Sequence, residues 1–146
     1  MTKKTKLSYL LLAIIFFLGL ALRLYRLDQN IPELYADEAG HYYYKNYLTD
    51  PDQSLAKKLL SITFTATNIF GLNPFGARFM SALYGSVLVL VGFYFAKSLD
   101  KASGSKNYLR VALVAGLLFA TLPWGYAISR IGHTHIPIVT ILGLAH

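Results

Sequence analysis

The sequence predicts an all-α protein, a multi-pass transmembrane helical bundle with a structured extracytoplasmic first loop that contains juxtamembrane helices. Apolar residues make up 55% of the chain and charged residues 14%, whereas a soluble domain carries roughly a quarter charged residues. The apolar residues are grouped in blocks of about the length that crosses a bilayer. The net charge of +7 comes from basic residues that flank these blocks, which indicates membrane topology and contact with lipid headgroups, not nucleic acid.

Three apolar blocks have the length of a membrane span, and a fourth is incomplete. The first covers residues 7–24 and follows three lysines, and its length favours an uncleaved span over a signal peptide. The others cover residues 79–96, 111–129 and 136–146. The fourth is too short to cross about 30 Å at about 1.5 Å per residue. We therefore expect residues 1–146 to be the N-terminal part of a single polytopic membrane domain in a longer protein.

The distribution of charge predicts the orientation of these spans in a cell membrane. Lysine and arginine are concentrated in the N-terminal tail and in the connection between the second and third blocks, so both are expected in the cytoplasm. The loop of residues 25–78 holds six of the seven acidic residues and is expected outside. Arg23 and Arg26, which lie close to the first span, argue weakly against this orientation.

Small residues predict which helix faces pack together. Ala112, Gly116 and Ala120 recur at four-residue spacing in the third block. Ser81 with Gly85, and Ala82 with Ser86, have the same spacing in the second block. Such residues allow helix backbones to approach closely in lipid.

The composition of the chain also excludes disulfides, thiolate zinc sites and cysteine nucleophiles, because it has no cysteine.

The outer loop is too long for a simple connector and contains two predicted helices. The first begins near Asp37, so that Asp37, His41 and Tyr44 share one face. The second covers residues 53–70, has one apolar face and ends at Gly71. An amphipathic helix between two spans is expected to lie on the membrane surface.

Asp37 and Glu38 are the strongest candidates for chemistry. A carboxylate at a helix N-terminus is favoured by the helix dipole, and it could accept a proton from a hydroxyl or ligate a divalent metal. The same two residues also fit an N-cap with a solvated neighbour. No His-Glu-x-x-His spacing for a metal is present in the sequence.

Other polar residues near the predicted outer face have two interpretations each. Arg78 either anchors the second span at the headgroups or binds a phosphate, for which a guanidinium is well suited. Arg130 follows the third span and has the same two interpretations, as an anchor at the headgroups or as a contact to substrate. His41 and Tyr44 fit either interface residues or contacts to an acceptor.

The motifs DEAGHYY at residues 37–43, GLNPFGARFMSALYGSVLVLVGFYFA at 71–96 and ISRIGHTH at 128–135 carry a family resemblance. They resemble membrane glycosyltransferases of the GT-C class, in the branch of protein O-mannosyltransferases and lipid A aminoarabinose transferases. Where many members have His-Pro-Pro or Lys-Pro before the surface helix, this chain has TDPDQSLAKK at residues 49–58.

The resemblance implies an inverting transfer of a sugar from a polyprenyl-phosphate donor to a hydroxyl on a lipid, glycan or protein acceptor. It implies catalytic roles for Asp37 and Glu38. The residues expected to contact the donor phosphate are Arg78, Lys57 and Lys58, and those expected to contact the acceptor are His41, Tyr44 and Arg130. The sequence identifies no cofactor with certainty, and by residue type a divalent metal at Asp37 is an open alternative.

The sequence leaves two alternative functions, a transporter and a non-catalytic membrane scaffold. A transporter should carry charged residues in the middle of its spans, and the three full-length blocks carry charge only at their ends. A non-catalytic membrane scaffold would keep the same fold, and composition does not separate it from an enzyme.

Overall fold

The computed structural model describes residues 3–29, 51–52, 54, 58, 65–132 and 135–145. Within these ranges every regular element is helical: α1 (Lys3–Leu24), α2 (Thr67–Phe70), α3 (Pro74–Ala102), α4 (Tyr108–Thr121), α5 (Pro123–Ser129) and α6 (His135–Leu144). Two of these helices, α1 and α3, are long and apolar enough to cross a membrane. The all-helical class predicted from the sequence is therefore confirmed for the described part of the chain, and the two long apolar helices support the predicted membrane protein.

Helix α3 is longer than the predicted second span at both ends. Asn73 begins it, because its side-chain Oδ1 accepts a hydrogen bond from the Gly76 N–H at 2.8 Å, and Pro74 occupies the first helical position, where no N–H is needed. The helix continues past the predicted end at residue 96 and stops at Ser103. Gly104 follows with φ +77, a conformation that glycine adopts without steric cost.

The predicted third span is not one straight helix. Residues 111–129 fall in α4 and α5, whose axes differ by 50°. Between them Leu122 is extended, with φ −55 and ψ 127, and Pro123 has no N–H to donate to the carbonyl of Phe119. The proline therefore lies at a break within the apolar block, and α4 with α5 counts as a third span only if the bent pair crosses together.

The faces predicted from small residues are confirmed as packing faces. Ala112, Gly116 and Ala120 are the buried residues of α4. Ser81, Ala82, Gly85 and Ser86 are all buried in α3. Helices α1, α3 and α4 pack against one another, and α6 packs against α3.

Contacts between these helices give their relative directions. The Lys97 Nζ, near the end of α3, lies 2.9 Å from the Tyr9 hydroxyl, near the start of α1. At the opposite end, Arg23 of α1 reaches Ala120 of α4. Helix α3 therefore runs antiparallel to α1 and α4. The two basic segments of the sequence lie at one end of the bundle, and the end of α1 lies at the other.

Arg23 connects α1 to the break between α4 and α5. Its side chain is 1% exposed. It donates to the carbonyls of Phe119 at 2.9 Å and Ala120 at 3.0 Å, and to the Ser129 hydroxyl at 2.9 Å. A further bond goes to the Gly19 carbonyl at 3.1 Å. The guanidinium thus supplies donors to carbonyls at the end of α4, where the extended Leu122 and Pro123 end the regular backbone bonding.

The predicted helices of the outer loop are described only in part. The Lys58 N–H donates to the Ser54 carbonyl at 3.1 Å, which is the bond of a helical turn. Residues 67–70 form α2, and Gly71 ends it with φ +79, which confirms the predicted stop. Thr65 and Ala66 form a turn before α2 and are not part of one continuous helix. The other residues of the predicted helix, 53, 55–57 and 59–64, and the predicted helix near Asp37 lie outside the described residues.

Alanine substitutions at Gly85 and Gly116 compare a tightly packed helix contact with an ordinary one. A Cβ at Gly85 would lie 2.3 Å from the Ser129 Cβ, whereas a Cβ at Gly116 would meet nothing closer than 3.6 Å. We expect Gly85→Ala to lower the free energy of unfolding by about 1–3 kcal/mol through overpacking. Gly116→Ala should leave it unchanged or raise it by up to about 1 kcal/mol, because alanine favours a helix.

Unfolding in detergent micelles, followed by circular dichroism, measures both effects. Equal stability of the two variants would contradict the packing of α3 against Ser129.

Candidate functional site: a cavity between two arginines

The candidate site is a cavity of about 380 Å³ at the end of the bundle where α1 finishes. Its lining comes from α3, α5 and the turn after α5, namely Arg78, Trp124, Tyr126, Ala127, Ile128, Arg130 and Ile131. Two residues that the sequence predicts for substrate contact, Arg78 and Arg130, therefore face one cavity although they are far apart in the chain.

Arg130 is placed by α5 and by the final residues of α1. It follows the C-terminus of α5 and is 7% exposed. Its Nη2 donates to the carbonyls of Tyr25 at 2.7 Å and Arg26 at 3.1 Å. Its Nη1 also lies 3.4 Å from the Leu22 carbonyl. Since the last carbonyls of a helix have no partner in the helix, Arg130 supplies donors at the end of α1.

Arg78 approaches the same segment from α3. It lies in the second turn after the Asn73 cap and is 1% exposed. Its Nη1 donates to the Leu27 carbonyl at 3.2 Å. Arg78 and Arg130 therefore fix residues 22–27 from two sides, and this brings both cationic side chains to the cavity.

Aromatic side chains from α5 complete the wall. The Arg130 guanidinium lies 5.0 Å from the centre of the Tyr126 ring, within the range of a cation–π contact, and Arg130 Nη1 also contacts the Tyr126 hydroxyl. Trp124 is 79% exposed, and Ile128 and Ile131 add apolar surface. The cavity is therefore mainly apolar and has two largely buried arginine side chains in its lining, a combination compatible with an amphiphile that has an anionic group.

The structure does not bring all of the predicted site residues together. Lys58 is half-buried and is not among the residues that line the cavity. Asp37, Glu38, His41, Tyr44 and Lys57 lie outside the described residues, as does any metal site at Asp37. Among the residues that are described, no group of three histidine or acidic side chains could hold a metal.

Sequence reasoning missed Arg23 and the role of the break at Pro123. Arg23 was predicted only as a charge at the end of a span, but it lies within hydrogen-bonding distance of both α4 and α5. One signal was available, because a proline four residues after Phe119 removes the N–H that would bond to the Phe119 carbonyl. The identity of the replacement donor depends on how α1 packs, which the spacing of residues in the sequence does not specify.

Comparison with known proteins gives no relative: no family model, no curated protein and no solved structure matches the chain. The residues of the cavity and the motif at residues 37–43 therefore carry the functional inference by themselves. Within the described part of the chain, the observation that bears on function is the convergence of Arg78 and Arg130 on one cavity beside an exposed tryptophan.

Proposed function

We propose that this chain is part of a membrane glycosyltransferase that transfers a sugar from a polyprenyl-phosphate donor to a hydroxyl acceptor. The observation that supports it most is the cavity that Arg78 and Arg130 share with Trp124. A polyprenyl phosphate combines an anionic group with an apolar chain, and the lining combines two arginine residues with apolar surface. The resemblance of residues 37–43 to GT-C enzymes supplies the type of reaction.

The proposed topology is multi-pass in the cell membrane, with the N-terminus in the cytoplasm and the loop of residues 25–78 outside. In support, the lysines at the start of α1 and the basic residues around the turn between α3 and α4 lie at the same end of the bundle. Positive charge of this kind favours the cytoplasmic side. Arg23 no longer argues against the orientation, because its guanidinium is buried against protein and is not at the headgroups.

The proposed chemistry requires one base and a neutralised leaving group. Asp37 accepts the proton of the acceptor hydroxyl, and the hydroxyl oxygen forms a bond to the anomeric carbon of the sugar. The bond from that carbon to the phosphate oxygen breaks, and polyprenyl phosphate leaves with the electron pair. Attack from the face opposite the phosphate inverts the anomeric carbon.

The cationic residues have the role of stabilising the departing phosphate. Arg78 is assigned to it with Lys57 and Lys58, because positive charge near a leaving phosphate lowers the barrier. Arg130, His41 and Tyr44 are assigned to the acceptor, and Glu38 is assigned beside the base. A divalent metal at Asp37 remains an alternative way to neutralise the same charge.

Replacing the proposed base is expected to abolish transfer. In membranes carrying the full-length protein, Asp37→Asn should lower sugar transfer from a labelled polyprenyl-phosphate donor by about 10²–10⁴-fold, because general base catalysis contributes that much. Asp28→Asn is the matched control, since Asp28 is an exposed acid of the same loop with no assigned role. Transfer that is equal in Asp37→Asn and in the native protein, at equal protein level, would remove Asp37 from the chemistry.

The orientation is testable with single cysteines, because the chain has none of its own. Gly40→Cys should react with a membrane-impermeant maleimide in intact cells, since residue 40 is assigned to the outer loop. Ser103→Cys, an exposed position in the turn after α3, should react only after lysis. The reverse pattern of labelling would overturn the proposed topology.

A further inference from the structure

A second cavity lies at the opposite end of the bundle, between the first turns of α1 and α4. It measures about 340 Å³. Three cationic side chains line it, Lys4 from α1, Lys106 from the turn before α4, and Arg110 from α4. Its other lining includes Leu7 and Leu11 of α1 and Leu113 of α4. We call this set of residues the basic groove.

The groove has a cationic end and an apolar end. Along α1 the lining residues follow the order Lys4, Leu7, Leu11, which at about 1.5 Å per residue spreads them over roughly 10 Å. Along α4 Leu109 and Arg110 precede Leu113 in the same direction. Because α1 and α4 run parallel, the cations of both helices lie at one level, with Leu109 beside them, and Leu7, Leu11 and Leu113 lie at the next. A bound molecule should therefore be anionic at one end and apolar at the other.

The cations of the groove are not balanced by acids within it. None of the nine residues that line it is acidic, and all three cationic side chains are exposed. Asp100, the acid of the nearby connection, lies on α3 and does not line the groove. Lys4 and Arg110 come from segments about one hundred residues apart, so their convergence depends on the packing of α1 against α4.

We infer that the basic groove binds the headgroup and upper acyl chain of an anionic phospholipid from the surrounding leaflet. Basic pockets between membrane helices are suited to anionic headgroups. A volume of about 340 Å³ lies at the lower end of the range of about 300–1,000 Å³ for ligand sites, which fits a headgroup and its first methylenes. The rest of the acyl chains remains in the bilayer. The inference rests on the membrane placement proposed above but not on sugar transfer.

Native mass spectrometry of the purified chain in a neutral detergent tests this inference. The probes are phosphatidylglycerol and phosphatidylcholine with identical acyl chains, added together. Phosphatidylglycerol should be retained in preference to phosphatidylcholine. Each basic residue near an anionic surface contributes about 1 kcal/mol, which corresponds to about fivefold. Lys106→Gln and Arg110→Gln should therefore each lower the retention of phosphatidylglycerol by about fivefold.

Lys101→Gln is the matched control, because Lys101 is an exposed cation at the same end of the bundle that does not line the groove. It should leave retention unchanged. An equal loss in Lys101→Gln would show that surface charge in general attracts the lipid and would overturn the inference. Equal retention of the two lipids by the native chain would also overturn it.

The apolar end of the groove is tested separately. Leu11→Ser should lower the retention of phosphatidylglycerol, whereas Leu10→Ser, at an exposed neighbour outside the groove, should not. Displacement of the lipid by inorganic phosphate at equal concentration would identify a simple anion site and overturn the lipid assignment. Unchanged helical content by circular dichroism confirms that each variant is folded, and loss of sugar transfer with lipid retention intact would refute only the proposed enzyme.

Discussion

The arrangement of the bundle depends on hydrogen bonds from arginine side chains to carbonyls at helix ends. In a membrane a carbonyl without a donor costs several kcal/mol, because no water is present to replace the lost bond. The break between α4 and α5 creates such carbonyls within an apolar segment, and Arg23 of α1 supplies donors to Phe119 and Ala120. In the other direction, the Arg130 side chain after α5 donates hydrogen bonds to the carbonyls of Tyr25 and Arg26 after α1. Each helix end is thus completed by the other segment, and the same bonds position Arg130 at the candidate cavity.

Small residues make these bonds geometrically accessible. Gly19 and Gly85 lie next to the Arg23 side chain, and a Cβ at either would come within 3.3 Å of one of its atoms. Glycine at both positions leaves room for a large guanidinium between closely packed helices. The stripe of small residues and the buried arginine are therefore parts of one packing arrangement. This arrangement lies at the end of the bundle that holds the proposed substrate cavity, and the basic groove lies at the other end.

The elements that follow from local sequence were predictable, and those that depend on packing were not. The apolar blocks predicted α1 and the middle of α3, and the four-residue spacing predicted the buried faces of α4 and α3. The sequence also identified Arg78 and Arg130, but it did not show that they share a cavity, because their proximity depends on the fold between residues 78 and 130. The bend at Leu122 had a local signal in Pro123, whereas the burial of Arg23 was missed because it results from contact between distant segments. The outcome for Asp37 and Glu38 stays a prediction.

A double-mutant cycle with Arg23→Gln and Pro123→Ala measures the central interaction directly. Arg23→Gln alone should lower the free energy of unfolding by at least about 2 kcal/mol, because two buried carbonyls lose their donor. Arg26→Gln, at an exposed arginine bonded to Gln29, should cost less than about 0.5 kcal/mol. Pro123→Ala restores a backbone N–H that can bond to the Phe119 carbonyl, so Arg23→Gln should cost less in that background, with a coupling of about 0.5–3 kcal/mol. Additive effects, or a cost for Arg23→Gln no larger than that for Arg26→Gln, would contradict the account.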